Sequence, residues 1–356
     1  MPGSAFRLPA EWEQQDCVWL CWPQNPRDWP GKFSPIAHVY AEIVRKLAAH
    51  GRVRLIVGGL AAKRRAETLL RKARADLEAV SFHIAATDRG WTRDFLPLFA
   101  LTRQGEVTAL DFAFTGWAKY ADHVRDQAAS AALMRELGLP VVVPRHKGGR
   151  VVLEGGAIDV NGAGALLATE ECLLDPAVQV RNPGFGRRDY EDVFAACLGA
   201  RQVLWLGRGI AGDDTHGHVD DLCRFVAPDT VVLCREDDPG DANHAALRDN
   251  RERLEGVVLE GGAKLRVVDL PMPRPLYFDG QRLPASYANF LIAGGVVLVP
   301  TFNDPADRTA LGLLAELFPG REVAGIHAVD LVWGLGTLHC LSHEQPQARP
   351  AKENAT

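Results

Sequence analysis

The sequence lacks a long apolar run, a basic surface and a paired-cysteine motif, and each absence excludes a class of protein. No window approaches the roughly 20 apolar residues of a membrane span, and residues 1–16 lack the basic region followed by an apolar stretch that marks a secretory signal. The net charge is -5, with Lys and Arg scattered along the chain, so a nucleic-acid-binding surface is not expected. We therefore expect a cytoplasmic protein with no nucleic-acid or membrane partner.

The seven cysteines form an odd set without a Cys-x-x-Cys pair. Disulfide frameworks use even numbers of cysteines, and many zinc sites use such pairs. The pattern therefore indicates reduced thiols, most of them buried as small core residues. They stand at positions 17, 21, 172, 197, 223, 234 and 340.

The composition is that of an ordinary globular protein. Hydrophobic residues make up 47% and charged residues 24% of the 356 positions, which is enough for a large buried core. A Ser/Gly-rich linker or charge block that would divide the chain is missing. We predict one domain over residues 1–345 and a polar C-terminal tail over 346–356.

Helix-like and strand-like segments alternate along the chain. Apolar residues recur at helical spacing over 36–50 and 61–79, strand-like runs follow each at 53–58 and 80–85, and two strands are predicted around the turn at 104–106. The alternation continues towards the C-terminal end, so the predicted fold class is α/β.

Four polar residues at the ends of apolar strands recur at a regular interval. Asp94, Glu154, His218 and Cys340 are 60, 64 and 122 positions apart, and the last interval is twice 61. Such spacing is typical of radial folds in which each structural repeat presents one residue to a shared centre. One repeat would then contribute no residue.

Cys340 is the first candidate for chemistry. It lies in the glycine-containing segment 332–343, between apolar residues and close to His339 and His343. Glycines permit close backbone approach, and neighbouring histidines provide a setting in which a thiolate is exposed and stabilised. From this segment alone, a buried cysteine in a terminal strand is the simpler alternative.

The segment 212–221 is dense in ionisable side chains. In an extended chain His218 and Asp220 lie on one face, where they would supply a proton donor and an anionic clamp for a substrate. A solvated acidic turn is the plain alternative.

A second alternative for this segment is a metal site. His216, His218, Asp220 and Asp221 nearly reproduce the His-x-His-x-Asp-His cluster with which metallo-β-lactamase-like hydrolases bind zinc. Asp221 stands where that cluster ends in His. That fold would also place the cluster early in the chain, which this sequence does not.

Two further carboxylates stand at the edges of apolar strands. Asp94 follows the aromatic residue Trp91, whose ring could stack on a flat cation, and Glu154 precedes two glycines. As alternatives, Asp94 pairs with Arg93 or another neighbour, and Glu154 caps the Gly-Gly turn.

Taken together, these residues have a specific chemical meaning. A guanidinium group is planar and cationic with N–H donors around its edge, so two carboxylates bind it and hold its central carbon for attack. That carbon is a poor electrophile and requires a strong, soft nucleophile such as a thiolate. A Cys, a His and the carboxylates of Asp94, Glu154 and Asp220 therefore favour guanidine hydrolysis.

The chain resembles the agmatine deiminase family, within a guanidine-modifying superfamily that also includes arginine and peptidylarginine deiminases. The resemblance runs nearly end to end, and the order and spacing of the motifs agree. The matching segments are Leu8–Glu13 with Trp19–Pro23, Trp91–Asp94, Leu153–Gly156, Thr169–Leu174 with Arg181–Pro183, Gly217–Asp220, Tyr287–Phe290 and Leu338–Cys340.

The resemblance implies a five-bladed α/β propeller with pseudo-fivefold repeats around a central active site. It also implies that Cys340 attacks the guanidino carbon to form a covalent amidino-cysteine, and that His218 protonates the leaving amine and then activates water. Asp94 and Asp220 would clamp the guanidinium, and Glu154 would hold and tune His218.

The implied reaction is the hydrolysis of agmatine to N-carbamoylputrescine and ammonia, on the route to putrescine, with no metal and no organic cofactor. Trp91 and Trp117 are candidates for lining the alkyl part of the substrate site, with plain core packing as the alternative. A homodimer is expected at the level of the family. The same chemistry on arginine or peptidylarginine is the alternative function, and a metallohydrolase is a more distant one.

Several positions depart from the family pattern. The stretch before Leu338 reads Gly-Leu-Gly-Thr where the family has a Gly-Gly-Gly-Asn-type run, and residues 341–343 read Leu-Ser-His where Thr-Gln-Gln is usual. Ala157 and Asp221 stand where Asn is usual. The catalytic set is intact, so these changes bear on the identity of the substrate more than on the reaction.

Overall fold

The computed structural model describes residues 4–349 and contains eight α-helices within that range. Residues 350–356 of the predicted tail lie outside the described residues. The helices are α1 (Phe33–Ala48), α2 (Leu60–Lys72), α3 (Thr92–Phe95), α4 (Val124–Glu136), α5 (Glu170–Leu174), α6 (Arg187–Val193), α7 (His244–Leu254) and α8 (Ala306–Leu317).

The described residues also form 21 strands, most of them short. They are β1 (Phe6–Arg7), β2 (Gln15–Cys21), β3 (Arg52–Val57), β4 (Val80–Ile84), β5 (Leu98–Thr102), β6 (Val107–Leu110), β7 (Val141–Val142), β8 (Arg145–His146), β9 (Gly149–Arg150), β10 (Ile158–Val160), β11 (Ala165–Thr169), β12 (Gln202–Leu206), β13 (Cys223–Ala227), β14 (Thr230–Arg235), β15 (Arg266–Pro271), β16 (Tyr277–Phe278), β17 (Gln281–Arg282), β18 (Leu291–Ala293), β19 (Val296–Thr301), β20 (Glu322–His327) and β21 (Ser342–Pro346).

Five sheets of three or four strands share one local plan. In each, an antiparallel strand pair is followed by at least one helix and then by a strand parallel to the second member of the pair, because a parallel connection needs a crossover. The sheets are β1-β5-β6-β7, β10-β11-β12, β13-β14-β15, β18-β19-β20 and β21-β2-β3-β4. The chain is therefore a mixed α/β protein, which confirms the predicted fold class.

The two ends of the chain meet in one of these sheets. Strand β2 pairs antiparallel with β21, with Trp19 opposite His343 and Leu20 opposite Ser342. This pairing places the segment that carries Cys340 next to β2, so residues from near both ends of the sequence lie side by side at the site.

The helices bury one face against the sheets. In α1, Ile36, Tyr40, Ile43, Val44 and Leu47 recur at helical spacing and are all buried. Burial stabilises each large apolar side chain by about 1.5–3 kcal/mol relative to exposure. The periodicity that predicted this helix is therefore also what attaches it to the core.

The second predicted helix is shorter than expected. The pattern predicts helix over 61–79, but α2 ends at Lys72. Arg74 has a positive φ of 59°, a left-handed conformation that ends a right-handed helix. The remaining residues form a short 3₁₀ turn at Leu77–Ala79.

All seven cysteines are free thiols, and six of them are buried, which confirms the prediction of unpaired core cysteines. Within residues 4–349, no helix combines the length and the apolar character needed to cross a membrane.

Candidate active site

A polar residue stands a few positions before the first strand of an antiparallel pair in all five sheets. Asp94 precedes β5, Glu154 precedes β10, Asp220 precedes β13, Asn289 precedes β18 and Cys340 precedes β21. The sequence spacing assigns no residue to one repeat, and in the structure Asn289 occupies that position. These five loops meet in one buried site.

Cys340 lines a cavity of about 220 Å³ and is 6% exposed. Its Sγ lies 3.6 Å from Oδ2 of Asp220. Asp94, Trp91 and Trp117 line the same cavity. The thiol is therefore placed at a cavity wall, which a cysteine that only fills the core would not be.

The electrostatic surroundings disfavour the thiolate in the substrate-free site. Burial raises the pKa of the Cys340 thiol well above its usual 9.0, and the charges of Asp220, Asp221 and Asp94 raise it further. A hydrogen bond from Asn289 acts in the opposite direction. A bound cation would offset the carboxylates and favour the thiolate, so this site suits a cationic substrate.

Asp94 is held by two donors. Its Oδ2 accepts from Nε1 of Trp117 at 2.9 Å, and its Oδ1 accepts from the backbone N–H of Gly156 at 3.1 Å. Burial raises the pKa of Asp94 to about 6, against the opposing charge of His218. The alternative pairing with Arg93 is wrong, because the guanidinium of Arg93 lies 2.7 Å from Glu344.

Trp91 and Trp117 are both buried, at 5% exposure, and both reach the cavity. The indole N–H of Trp117 also donates a hydrogen bond to Asp94, so this side chain does more than fill the core. Trp91 packs on Trp29, with ring centroids 5.6 Å apart. A Cβ added at Gly336 would lie 2.7 Å from the Trp91 ring and 3.1 Å from Cβ of Cys340, so this glycine lets the nucleophile loop approach the indole.

Glu154 forms an ion pair with Arg181 in which both side chains are fully buried. The Nε of Arg181 lies 3.3 and 3.2 Å from the two carboxylate oxygens. Burial alone would raise the pKa of Glu154, but the charge and hydrogen bonds of Arg181 and the charge of His218 lower it to about 2. Glu154 is therefore ionised, and its carboxylate pairs with Arg181 and not with the Gly-Gly turn.

His218 lies between two acidic groups and is fully buried. Its Nε2 is 3.8 Å from Oε2 of Glu154, and its Nδ1 is 4.0 Å from Oδ1 of Asp220. Burial would lower the pKa of His218, but the Asp94 charge and contacts with Cys172 and Glu154 raise it well above 6.5. The imidazole is thus held as a cation that can donate a proton.

Glycine allows the backbone to approach this histidine. A Cβ added at Gly156 would lie 2.5 Å from Nδ1 of His218 and 3.1 Å from Oδ2 of Asp220. Any larger residue would displace one of the two side chains. The second glycine after Glu154 is therefore explained by this close approach.

Several buried polar atoms of the site lack a hydrogen-bond partner among residues 4–349. They are Nδ1 and Nε2 of His218, Oδ1 of Asp220 and Oδ2 of Asp221. Unpaired buried polar atoms are rare in folded proteins, and each requires an explanation such as a catalytic role or a bound group. Unpaired oxygens beside a thiol suit a ligand rich in N–H donors.

Asp220 is positioned by His339. The Nδ1 of His339 lies 2.7 Å from Oδ2 of Asp220. The Nε2 of His339 lies 3.4 Å from Oε2 of Glu11. His339 therefore holds one oxygen of Asp220, and the Oδ1 of Asp220 is left for a ligand.

The alternative metal cluster of the metallo-β-lactamase type does not form among residues 4–349. The Nε2 of His216 lies 3.0 Å from Asp175, so this imidazole is engaged apart from His218. Among the described residues, two groups could hold an ion within 4.8 Å, and His216 belongs to neither. They are Glu154 with Cys172 and His218, and Asp220 with Asp221 and Cys340.

Three residues that contact the predicted site residues lie outside the predicted catalytic and substrate-binding set. Arg181 pairs with Glu154, His339 holds Asp220, and Asn289 donates to Cys340. All three lie in segments that resemble the family pattern, and Asn289 also stands before an apolar strand at the repeat left without a residue. Arg181 and His339 act through contacts between distant loops, which spacing does not reveal.

The fold and this set of side chains define a guanidino-modifying α/β enzyme, a hydrolase of amidine C–N bonds. The sequence model of the Porphyromonas-type peptidyl-arginine deiminase family matches residues 7–346, and the chain belongs to that family.

Relatives within this family are similar over nearly their whole length. The agmatine deiminase of Pseudomonas fluorescens (strain SBW25) is 34% identical, covering 97% of this chain and 96% of that protein. The solved structure of the agmatine deiminase of Enterococcus faecalis superimposes with a TM-score of 0.88 at 27% identity, covering 98% and 99%. An agmatine deiminase of C. jejuni solved with substrate bound gives 0.85 at 27% identity, covering 98% of each.

Proposed function

We propose that this chain is an agmatine deiminase that hydrolyses agmatine to N-carbamoylputrescine and ammonia. One observation carries the proposal: the thiol of Cys340, the carboxylate of Asp94 and two indoles share a single cavity, and Asp220 lies 3.6 Å from the sulfur. The names of the relatives support agmatine as the substrate. Peptidylarginine or another arginine derivative is the alternative within the same chemistry.

In the binding step, Asp94 and Asp220 grip the guanidinium. The unpaired Oδ1 of Asp220 accepts an N–H from the substrate, and Asp94 contributes a second carboxylate at the cavity wall. The flat faces of Trp91 and Trp117 line the path of the alkyl chain. Charge-assisted hydrogen bonds hold the central carbon in front of the sulfur.

In the chemical steps, the thiolate of Cys340 forms a C–S bond with the guanidino carbon. His218 transfers its proton to one amino group, the C–N bond to that group breaks, and ammonia leaves. The neutral imidazole then takes one proton from water, the water oxygen bonds to the same carbon, and the C–S bond breaks while the second water proton is released to solvent. A ureido product leaves and the thiolate is restored, while Glu154 holds His218 throughout.

We further infer that the five sheets are the blades of a propeller around this site. Their shared strand order supports it, as does the position of a site residue before each antiparallel pair. The five loops also contact one another in a closed circuit. These contacts are Asp94 to Gly156 (3.1 Å), Glu154 to His218 (3.8 Å), Asp221 to Asn289 (2.9 Å), Asn289 to Cys340 (3.0 Å) and the Arg93 N–H to the Cys340 carbonyl (3.4 Å).

The proposed location, domain organisation, oligomeric state and lack of cofactors come from the sequence interpretation. A cytoplasmic location fits the unpaired cysteines, and a single domain over 1–345 fits the sheet that joins both ends of the chain. A homodimer and the absence of a metal or organic cofactor stay predictions.

The substrate is tested by ammonia release from agmatine, arginine and a peptide containing arginine, with mass analysis of each product. We expect agmatine to be consumed with the highest kcat/KM and to yield N-carbamoylputrescine. A chelator should leave the rate unchanged. Preference for peptidylarginine would reject the proposed substrate, and loss of activity with the chelator, restored by added metal, would reject the mechanism.

A further inference from the structure

The side-chain oxygen of Asn289 anchors the loop that carries the nucleophile. This Oδ1 accepts from Oγ1 of Thr337 at 2.8 Å, from the N–H of His339 at 3.1 Å and from the N–H of Cys340 at 3.4 Å. Two of these donors are backbone N–H groups, which need an acceptor. The oxygen of the amide must therefore face the loop, and this fixes the orientation of the side chain.

The amide nitrogen of Asn289 consequently faces the sulfur. Its Nδ2 donates to Sγ of Cys340 at 3.0 Å and to Oδ1 of Asp221 at 2.9 Å. An amide nitrogen has two hydrogens, so both are used. Asn289 is 1% exposed, and neither hydrogen bond competes with bulk water.

Asp221 holds the second hydrogen of that amide in place. It is 2% exposed, and burial together with the charges of Asp220 and Asp213 raises its pKa well above 3.8. The Oδ1 of Asp221 accepts from Nδ2 of Asn289 and so occupies one of its two hydrogens. The second N–H of the amide is then left to point at the sulfur.

We propose that Asn289 is a positioning residue that aims the Cys340 sulfur and stabilises its thiolate through one N–H, with Asp221 fixing the direction of the amide. The inference rests on the proposed role of Cys340 as the nucleophile. It gives a role to Asn289, the residue before β18, in the repeat to which the sequence spacing assigned no residue. It also supplies a neutral donor where three carboxyl groups surround the thiol.

The test measures alkylation of Cys340 by iodoacetamide across pH in the absence of substrate. The tryptic peptide that begins at Glu322 carries Cys340 as its single cysteine, so mass spectrometry follows this thiol alone. In Asn289→Ala we expect the rate at a fixed pH below the midpoint to fall about tenfold to a hundredfold, because a hydrogen bond to the anion is lost. The midpoint of the rate against pH should rise accordingly.

Thr337→Val is the matched control, because it removes one donor to the same Asn289 oxygen without touching the sulfur. Its alkylation midpoint should stay at the wild-type value. An unchanged midpoint in Asn289→Ala, or an equal shift in Thr337→Val, would overturn the proposal. If Asn289→Ala does not fold, Asn289→Leu, which keeps the branched side-chain shape of Asn, removes the amide donors without adding a charge beside the thiol, and the same upward shift is expected.

Steady-state kinetics give a second readout. Because Asn289 touches the sulfur and not the cavity, kcat for agmatine should fall about tenfold to a hundredfold in Asn289→Ala with KM near the wild-type value. A rise in KM at unchanged kcat would contradict the assignment. The alkylation result needs no turnover, so failure of the proposed substrate and failure of this inference are distinguishable.

Discussion

Cys340→Ser is expected to lower kcat for agmatine by roughly four orders of magnitude or more while leaving the fold intact. A serine hydroxyl ionises far less readily than a thiol and is a much weaker nucleophile for the guanidino carbon. The substitution is nearly isosteric, and the thiol of Cys340 donates only one long hydrogen bond, to Asp220, so the fold should be retained. Binding of agmatine should therefore persist, measured by calorimetry, when turnover is lost.

Cys197→Ser is the matched control for this experiment. Cys197 is a free, half-buried thiol on the π-helical turn that follows α6, in a different core cluster from the site. Its replacement should leave kcat within a small factor of the wild type. Turnover near the wild-type rate in Cys340→Ser would reject the covalent mechanism.

Arg181→Met is expected to lower the free energy of unfolding by about 3–5 kcal/mol, because it leaves the buried carboxylate of Glu154 unpaired. Both members of this pair are fully buried. Arg181 also donates to the backbone carbonyls of Gln179 at 2.9 Å and Thr215 at 2.6 Å. Since Thr215 leads into His218, kcat should fall by about 100-fold or more as the imidazole is displaced.

The effect on stability should depend on pH in a defined direction. The pKa of Glu154 is about 2 in the folded protein and about 4.3 in an unfolded chain. This lowering stabilises the wild type above the unfolded pKa, and the stabilisation is lost as pH falls towards 2. The difference between wild type and Arg181→Met should therefore be largest near neutral pH and shrink below about pH 4.

Urea denaturation at several pH values measures this difference. Arg253→Met is a suitable control, because Arg253 forms surface ion pairs with Glu170 and Asp249. Loss of these pairs should lower the free energy of unfolding by at most about 1 kcal/mol. The double variant Glu154→Gln with Arg181→Met should regain part of the lost stability without regaining activity. Equal stability of wild type and Arg181→Met at neutral pH would contradict the assigned role of this pair.

The sequence predicted the elements of the fold better than their ends. The 3.6-residue periodicity that predicts α1 is the pattern that buries Ile36, Tyr40 and Val44, so local pattern and tertiary packing agree there. The end of α2 depends on one backbone angle at Arg74, which no periodicity encodes. Helix existence was thus readable from the sequence, and the end of α2 was not.

The residues predicted for the site do gather, but their partners were not predictable. Cys340, Asp94 and Asp220 attract attention because a thiol and carboxylates at strand ends have few structural uses. Arg181 and Asn289 are ordinary residues until distant loops bring them onto Glu154 and the thiol. Their roles depend on burial and direction, which single-sequence patterns do not contain.

Some alternatives could be decided only by contacts between side chains. Core packing and substrate contact were equally consistent with Trp117 in the sequence, and the hydrogen bond to Asp94 shows that its indole does more than fill the core. His216 and His218 have the spacing of metal ligands, but the ion pair of His216 with Asp175 separates them. Spacing alone therefore overstated the resemblance to a zinc cluster.

The central claim is that the guanidino carbon is transferred to the sulfur of Cys340. Rapid acid quenching of the wild-type enzyme during turnover of agmatine, followed by mass analysis of the peptide that begins at Glu322, tests it most directly. We expect this peptide to gain the mass of agmatine less one ammonia, with the modification on Cys340. Product that accumulates while this peptide stays unmodified, or an adduct on another residue, would contradict the account.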